Sequence, residues 1–121
     1  MEALFDTIII IDYLNGVEAA RVELARYRGV YISPITFVEV LVGTSPANDM
    51  TVRAFLARFT TTELSAATLE AAVRLRKDYR IRIPDALVRA AAEVNELILV
   101  TRNTKDFPPD NPGVRVPYTV R

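Results

Sequence analysis

Residues 3–16 read Ala3-Leu4-Phe5-Asp6-Thr7-Ile8-Ile9-Ile10-Ile11-Asp12-Tyr13-Leu14-Asn15-Gly16 and contain two apolar runs separated by Asp6 and Thr7. The first run predicts a β-strand to about Phe5, and the second predicts a helix to about Leu14. The four consecutive Ile residues fit either structure when taken alone, because a short apolar run has no distinguishing period. Asn15-Gly16 is a stop signal in both cases. A strand that leads directly into a helix points to the α/β class.

Short apolar strands and helical patterns alternate along the rest of the chain. Further strands are predicted around 30–32, 60–62, 97–100 and 114–116, and further helices around 17–27, 34–41, 50–59, 66–79 and 86–95. Ser33-Pro34 and Ser65 are typical residues for helix starts. The alternation therefore predicts an α/β fold with a short central parallel sheet flanked by helices.

Length and composition limit both the architecture and the chemistry. The chain has 121 residues, of which half are apolar and a quarter are charged. This length and composition predict a single domain over 1–121 with one hydrophobic core. The chain has no cysteine and no histidine. Disulfide frameworks, Cys- or His-ligated zinc and Ser-His-Asp catalysis are therefore excluded. Any bound metal should be a hard cation held by oxygen atoms.

The charges are balanced in number but not in type. The chain has fifteen basic and fifteen acidic residues, and thirteen of the basic residues are Arg. A net charge of zero argues against a basic nucleic-acid coat protein, but it fits a nuclease whose acidic metal site offsets basic residues elsewhere. The longest early apolar run, Ile8–Ile11, is too short for a signal peptide or a membrane span. We expect a cytoplasmic protein.

Acidic and amide side chains fall where an α/β fold builds its sites. Asp6 follows the first strand, Asn103 and Asp106 follow the strand at 97–100, and Asp85 lies in the first turn of a helix. Sites in open α/β sheets form at the carboxyl ends of the strands. Glu39 lies within the most apolar helix. We expect Glu39 to be buried and to need a partner, because an isolated buried carboxylate costs several kcal/mol.

Three of these four acids also have an ordinary structural explanation, whereas Glu39 is harder to explain in that way. Asp6 fits a helix cap, Asp85 fits the favourable charge at a helix N-terminus, and Asp106 fits a plain loop residue. Together the acids would crowd and raise one another's pKa, and a divalent cation relieves that repulsion. A carboxylate-held Mg²⁺ can activate water for phosphodiester hydrolysis without histidine or cysteine.

Four segments carry a resemblance to a known family. They are Leu4-Phe5-Asp6-Thr7 followed by Ile11-Asp12-Tyr13-Leu14; Ile32-Ser33-Pro34-Ile35-Thr36-Phe37-Val38-Glu39-Val40-Leu41-Val42-Gly43; Pro84-Asp85-Ala86-Leu87-Val88-Arg89-Ala90-Ala91-Ala92; and Leu99-Val100-Thr101-Arg102-Asn103-Thr104-Lys105-Asp106-Phe107. In this order they resemble the motifs of PIN-domain ribonucleases, specifically the VapC-type toxins of bacterial toxin–antitoxin pairs. The resemblance covers nearly the whole chain.

The resemblance implies a PIN-like fold and a defined site. It assigns the acidic metal site to Asp6, Glu39, Asp85 and Asp106, the supporting hydroxyls to Thr7 and Thr101, and a contact with the metal's water shell to Asn103. It implies endoribonuclease activity that depends on Mg²⁺, with Mn²⁺ as a substitute, on tRNA or another structured RNA. It also implies a homodimer and a cognate VapB-like antitoxin that inhibits by covering the active site.

One position departs from the family pattern. The residue after Asp6-Thr7 is usually small and polar in this family, but here it is Ile8, which cannot hold a metal-bound water or a phosphate. This departure leaves a second hypothesis, a PIN-fold protein with weak or no catalysis that acts through partner binding. A phospho-acceptor signalling domain fits poorly, because the chain has no adjacent acidic pair after its first strand.

The sequence gives no specific function to three further charged residues. We expect Asp12 to be a solvated surface residue rather than a support for the site. Arg82 precedes the predicted site and fits either an RNA phosphate contact or a solvated position. Arg102 fits a phosphate contact and a surface position equally well.

Overall fold

The strands and helices lie close to their predicted positions. A computed structural model describes residues 1–107 and 111–120. Within those ranges the elements are β1 Glu2–Phe5, α1 Thr7–Leu14, α2 Glu18–Ala25, β2 Gly29–Ile32, α3 Pro34–Val42, α4 Asp49–Leu56, β3 Thr60–Thr61, α5 Ala66–Tyr79, α6 Ile83–Val94, β4 Ile98–Val100 and β5 Val114–Arg115. The predicted alternation of strands and helices is confirmed.

The strands form one parallel sheet in the order β3-β2-β1-β4-β5. Leu4 in the central strand pairs with Tyr31 on one side and with Leu99 on the other. The chain extends the sheet from β1 toward β2 and β3, and later returns to the other side of β1 with β4. The boundary between β1 and β4 is therefore the point at which an α/β sheet forms its crevice.

The sheet separates two apolar cores because successive strand residues face opposite sides. Phe5 packs with Ile9 and Ile10 of α1 and with residues of α2 and α4. Leu4 packs on the other face with Leu75 of α5 and with the alanines of α6. The small side chains of α6 bring that helix close to the sheet, which fixes the start of α6 beside the carboxyl ends of the strands.

Helix starts follow the predicted capping chemistry. Ser33 accepts a hydrogen bond from the Ile35 amide at 3.1 Å, and Pro34 occupies the first position of α3. Ser65 accepts from the Thr68 amide at 3.2 Å at the start of α5. Asp6 caps α1 through the Thr7 amide at 2.8 Å. The ordinary capping role weighed for Asp6 is thus real, and it fixes one of its carboxylate oxygens.

Two buried ion pairs tie the first two helices to the end of the chain. Arg102 donates to both oxygens of Asp12, at 2.6 and 3.0 Å, and Tyr118 donates to the same carboxylate at 2.8 Å. Arg115 donates to both oxygens of Glu23, at 2.6 and 3.0 Å. The expectation that Asp12 is solvated was wrong, since Asp12 is only 5% exposed. Its partners lie far away in sequence and only the folded sheet brings them to it.

Of the helices in the described ranges, none combines the length and the apolar character needed to cross a membrane.

Candidate active site

A cleft of about 460 Å³ opens at the carboxyl ends of β1 and β4. Its lining comes from the start of α1, from α3, from the start of α6 and from the loop after β4: Asp6, Thr7, Ile8, Ile11, Glu39, Arg82, Asp85, Arg102, Asn103, Thr104 and Lys105. Three of the four predicted acids line the cleft directly. The fourth, Asp106, lies at its edge, bonded to Asn103 and Arg82.

Asp6 is the most firmly held of the acids. It is 4% exposed, and its backbone amide donates to the Val100 carbonyl at 2.9 Å, which joins the ends of β1 and β4. One carboxylate oxygen accepts from the Thr7 amide and the other from the Thr101 hydroxyl at 2.7 Å. Burial raises the pKa of Asp6, the two hydrogen bonds oppose the rise, and the charges of Glu39 and Asp106 add to it.

Thr7 connects Asp6 to the acid on α3. The Thr7 hydroxyl donates to Glu39 Oε1 at 2.7 Å and lies 2.8 Å from the Thr36 hydroxyl. A hydroxyl has one proton, so Thr36 must donate to Thr7 while Thr7 donates to Glu39. This chain of hydroxyls orients Glu39 toward the cleft. Thr36 was missed by the sequence analysis, although it lies one helical turn before Glu39.

The expectation that Glu39 is buried was wrong, because its side chain is exposed at the mouth of the cleft. Helix α3 buries mainly the stripe that contains Thr36 and Val40. Two of the apolar residues near Glu39 lie with it on the solvent side, since Val38 is 56% and Val42 79% exposed. Glu39 therefore needs no buried partner and is free to bind a ligand from the cleft.

Asp85 and Asp106 form a coupled pair beneath Arg82. Arg82 Nη2 lies 3.1 Å from Asp85 Oδ2 and 3.2 Å from Asp106 Oδ2. Burial raises the pKa of Asp85 to about 6, with help from its hydrogen bond to Asp106 and from the Asp6 charge, while Arg82 opposes the rise. Burial also works to raise the pKa of Asp106, but the hydrogen bonds from Asp85, Asn103 and Arg82 outweigh it and lower that pKa. The pair therefore holds one proton more tightly than two separate aspartates would.

The loop after β4 orders Asn103 around Thr101 and Asp106. The Asn103 amide donates to Thr101 Oγ1 at 3.0 Å, while the Thr101 hydroxyl donates to Asp6. The Asn103 side chain donates to Asp106 Oδ2 at 3.1 Å and accepts from the Asp106 amide at 3.3 Å. Thr101 and Asn103 therefore position Asp6 and Asp106 relative to each other. The loop itself is anchored by the Arg102–Asp12 ion pair.

The donor set suits a hard divalent cation, because it consists of carboxylate, hydroxyl and amide oxygens without nitrogen or sulfur ligands from His or Cys. Burial raises the pKa of Asp6 and of Asp85, and the charges of neighbouring acids add to the rise. A bound cation would favour the ionised carboxylates. As the side chains stand, no three acids within residues 1–107 and 111–120 converge closely enough to form a metal site. Arg82 occupies the position between two of them.

We expect the Asp85 pKa to be visible in the stability of the metal-free protein. A raised pKa means that the folded state binds the proton more tightly than the unfolded state, so folding stability falls as the pH rises from about 4 to about 6. Asp85→Asn cannot ionise and should escape this loss. Urea unfolding with chelator should show Asp85→Asn gaining on the order of 1 kcal/mol relative to wild type between about pH 5 and about pH 7.5. Parallel stability curves for the two proteins would contradict the assignment.

The comparison with family models gives a match to the PIN domain over residues 3–108. The chain belongs to the PIN domain family. PIN domains are generally nucleases and typically use divalent metal ions. Residues 3–108 contain every acid and hydroxyl assigned above, so the family match and the cleft agree on the same part of the chain.

Several solved structures resemble this chain along almost its whole length. A chain of a toxin–antitoxin complex from Klebsiella pneumoniae is 39% identical, with a TM-score of 0.93 over 98% of this chain and 100% of that one. VapBC2 from Rickettsia felis bound to a promoter DNA fragment and DNA-bound VapBC from Salmonella typhimurium share the fold, with TM-scores of 0.77, identities of 22% and 23%, and coverage of 95% of this chain and 96% of theirs. The comparison with curated proteins gave no match. The predicted likeness to VapC-type PIN proteins is confirmed.

Proposed function

We propose that this PIN domain is the toxin of a toxin–antitoxin pair and acts as an endoribonuclease that requires Mg²⁺, with Mn²⁺ as a substitute. The observation that carries the proposal is the arrangement of Asp6, Glu39 and Asp85 around one cleft, with Asp106 at its edge. The family supports nuclease chemistry, and the 39% identical chain comes from a toxin–antitoxin complex. RNA, tRNA among the candidates, is the proposed substrate, and the cytoplasm is the proposed place of action.

The residues of the cleft have separate tasks in this proposal. Asp6, Glu39, Asp85 and Asp106 would hold the cation, which when bound activates water for attack on a phosphodiester and stabilises the developing charge. Thr101 and the start of α1 keep Asp6 in one orientation, so little rearrangement is needed when the cation enters. Thr7 orients Glu39, and Asn103 orients Asp106 and would bond the cation's water shell.

A cleavage assay tests the proposal. Purified protein is incubated with total tRNA in Mg²⁺, in Mn²⁺ and in chelator. Discrete fragments that appear with either metal and disappear with chelator are expected. Cleavage that persists in chelator would refute the metal mechanism, and the absence of cleavage with both metals would favour the alternative below.

An antitoxin partner and a homodimer complete the proposal. The antitoxin would be a VapB-like protein that covers the cleft. The dimer is supported by an apolar groove between α5 and α6, where Leu69, Val73 and Ile83 are 45%, 49% and 62% exposed. Large side chains exposed together on one surface commonly mark a protein interface.

A second candidate function is a PIN-fold protein with weak or no catalysis that acts mainly by binding its partner. The observation in its favour is Ile8, which lines the cleft where the family usually has a small polar residue. Ile8 also packs against the core beneath α1. The side chain therefore contributes to packing as well as to the wall of the cleft.

Replacing Ile8 distinguishes these roles. Ile8→Asn is expected to preserve or raise metal-dependent cleavage, because an amide there can bond a metal-bound water or a phosphate. The matched control is Ile11→Asn, which places the same side chain one turn along α1 on the same cleft. Rates are compared after confirming by circular dichroism that both variants are folded. An unfolded Ile8→Asn protein would show that Ile8 is required for packing, and a clear loss of cleavage in the folded variant would contradict the expected gain.

A further inference from the structure

Arg82 is the only side chain of the cleft lining that forms a salt bridge to any of the four acids within the described residues. A single nitrogen, Nη2, contacts a carboxylate on α6 and another in the loop after β4, at 3.1 and 3.2 Å. Those two carboxylates are 18% and 15% exposed, whereas the Arg82 side chain is 73% exposed. A solvent-exposed cation thus contacts two largely shielded acids.

Arg102 lines the same cleft but cannot play this part. Both of its carboxylate contacts go to Asp12, and its side chain is 24% exposed. Arg102 is therefore fixed by its two hydrogen bonds to Asp12, whereas Arg82 contacts the acids only through its terminal nitrogen Nη2. An exposed ion pair of the Arg82 kind contributes little net stability, because solvent screens it and the long side chain loses freedom. The contacts of Arg82 with the two aspartates can therefore be replaced readily by contacts with another cation.

Arg82 and a bound cation would draw on the same two side chains. A metal held by Asp85 and Asp106 would use the carboxylates whose Oδ2 atoms Arg82 now contacts. Two positive charges cannot share these oxygens without strong repulsion at such a distance. Arg82 and a cation would therefore compete for this pair of carboxylates.

We propose that Arg82 is an exchangeable counter-ion of the cleft, which bridges Asp85 and Asp106 in the metal-free protein and is displaced when a divalent cation binds. This inference rests on the proposed function, because it assumes that the two aspartates are metal ligands. Its consequence is that Arg82 weakens metal binding and raises the concentration of metal at which the cleft fills. Arg82 is a positioning residue for the acids rather than a catalytic residue.

Metal binding measured without RNA tests the proposal. Arg82→Gln removes the charge and should bind Mn²⁺ about three- to tenfold more tightly than wild type in isothermal titration calorimetry. Added Mn²⁺ should also raise the melting temperature of the variant more than that of wild type, since the two aspartates have lost their competing counter-ion. Arg82 is exposed at the start of α6, so the substitution should leave the core unchanged.

Lys105→Gln is the matched control, because Lys105 lines the same cleft and is exposed. It reports the effect of removing one positive charge without removing the bridge, and a smaller gain in Mn²⁺ affinity is expected. An equal gain in both variants would overturn the exchange mechanism. An unchanged affinity in Arg82→Gln, with wild type still binding Mn²⁺, would overturn the role of Arg82 and leave the nuclease proposal intact. Failure of wild type to bind Mn²⁺ would overturn both.

Discussion

Asp6→Asn is expected to reduce metal-dependent RNA cleavage by at least about 100-fold while the protein stays folded. Losing an outer-shell partner of a metal ligand typically costs about 10- to 100-fold, so losing a ligand should cost at least as much. The fold should survive, because asparagine is as good a helix cap as aspartate and its oxygen can still accept from the Thr7 amide. The measurement is the initial rate of tRNA cleavage in saturating Mg²⁺, with circular dichroism as the check on folding.

The control for Asp6→Asn is Asp78→Asn, which makes the same chemical change at an exposed position on α5 outside the cleft. Its cleavage rate should equal that of wild type. If folded Asp6→Asn protein cleaved RNA at the wild-type rate, Asp6 would have no part in the chemistry. The site would then have to be sought elsewhere on the chain.

Arg115→Ala is expected to lower the free energy of unfolding by about 2–4 kcal/mol. Glu23 is 3% exposed, and its carboxylate receives both bonds of the Arg115 guanidinium as well as the Tyr27 hydroxyl at 2.8 Å. Burial works to raise the pKa of Glu23, but the bonds from Arg115 and Tyr27 outweigh it and keep the pKa below its usual value. Removing Arg115 leaves a buried charge with much of its compensation gone, and the strand β5 loses its link to α2.

Arg21→Ala provides the comparison for Arg115→Ala. Arg21 also forms a bidentate ion pair with a glutamate of α2, Glu18. The side chain of Arg21 is 59% exposed and that of Glu18 is 70% exposed. Exposed pairs contribute roughly 0–1 kcal/mol, so Arg21→Ala should change the urea midpoint little. Similar losses in the two variants would show that the burial of Glu23 is not what makes its pair important.

The candidate site was predictable to the extent that its signals are local. Asp6 follows a strand, Asp85 opens a helix, and both positions can be recognised from fewer than ten neighbouring residues. The exposure of Glu39 could not be predicted in this way, because apolar residues on both sides of α3 leave open which side packs inward. The structure shows that α3 turns the other side inward and leaves Glu39 at the mouth of the cleft.

The class of fold, the order of strands and helices, the helix caps and the acids of the cleft are all predictable from the amino-acid sequence. Each of these depends on hydrogen bonds or apolar periodicity over a few neighbouring residues. The partners of those acids and of the buried charges are visible only in the folded chain. Arg102 reaches Asp12 across 90 positions, and Arg82 reaches Asp106 across 24. Such contacts follow from the strand order, which places β4 beside β1, and that order is a property of the whole sheet rather than of any one segment.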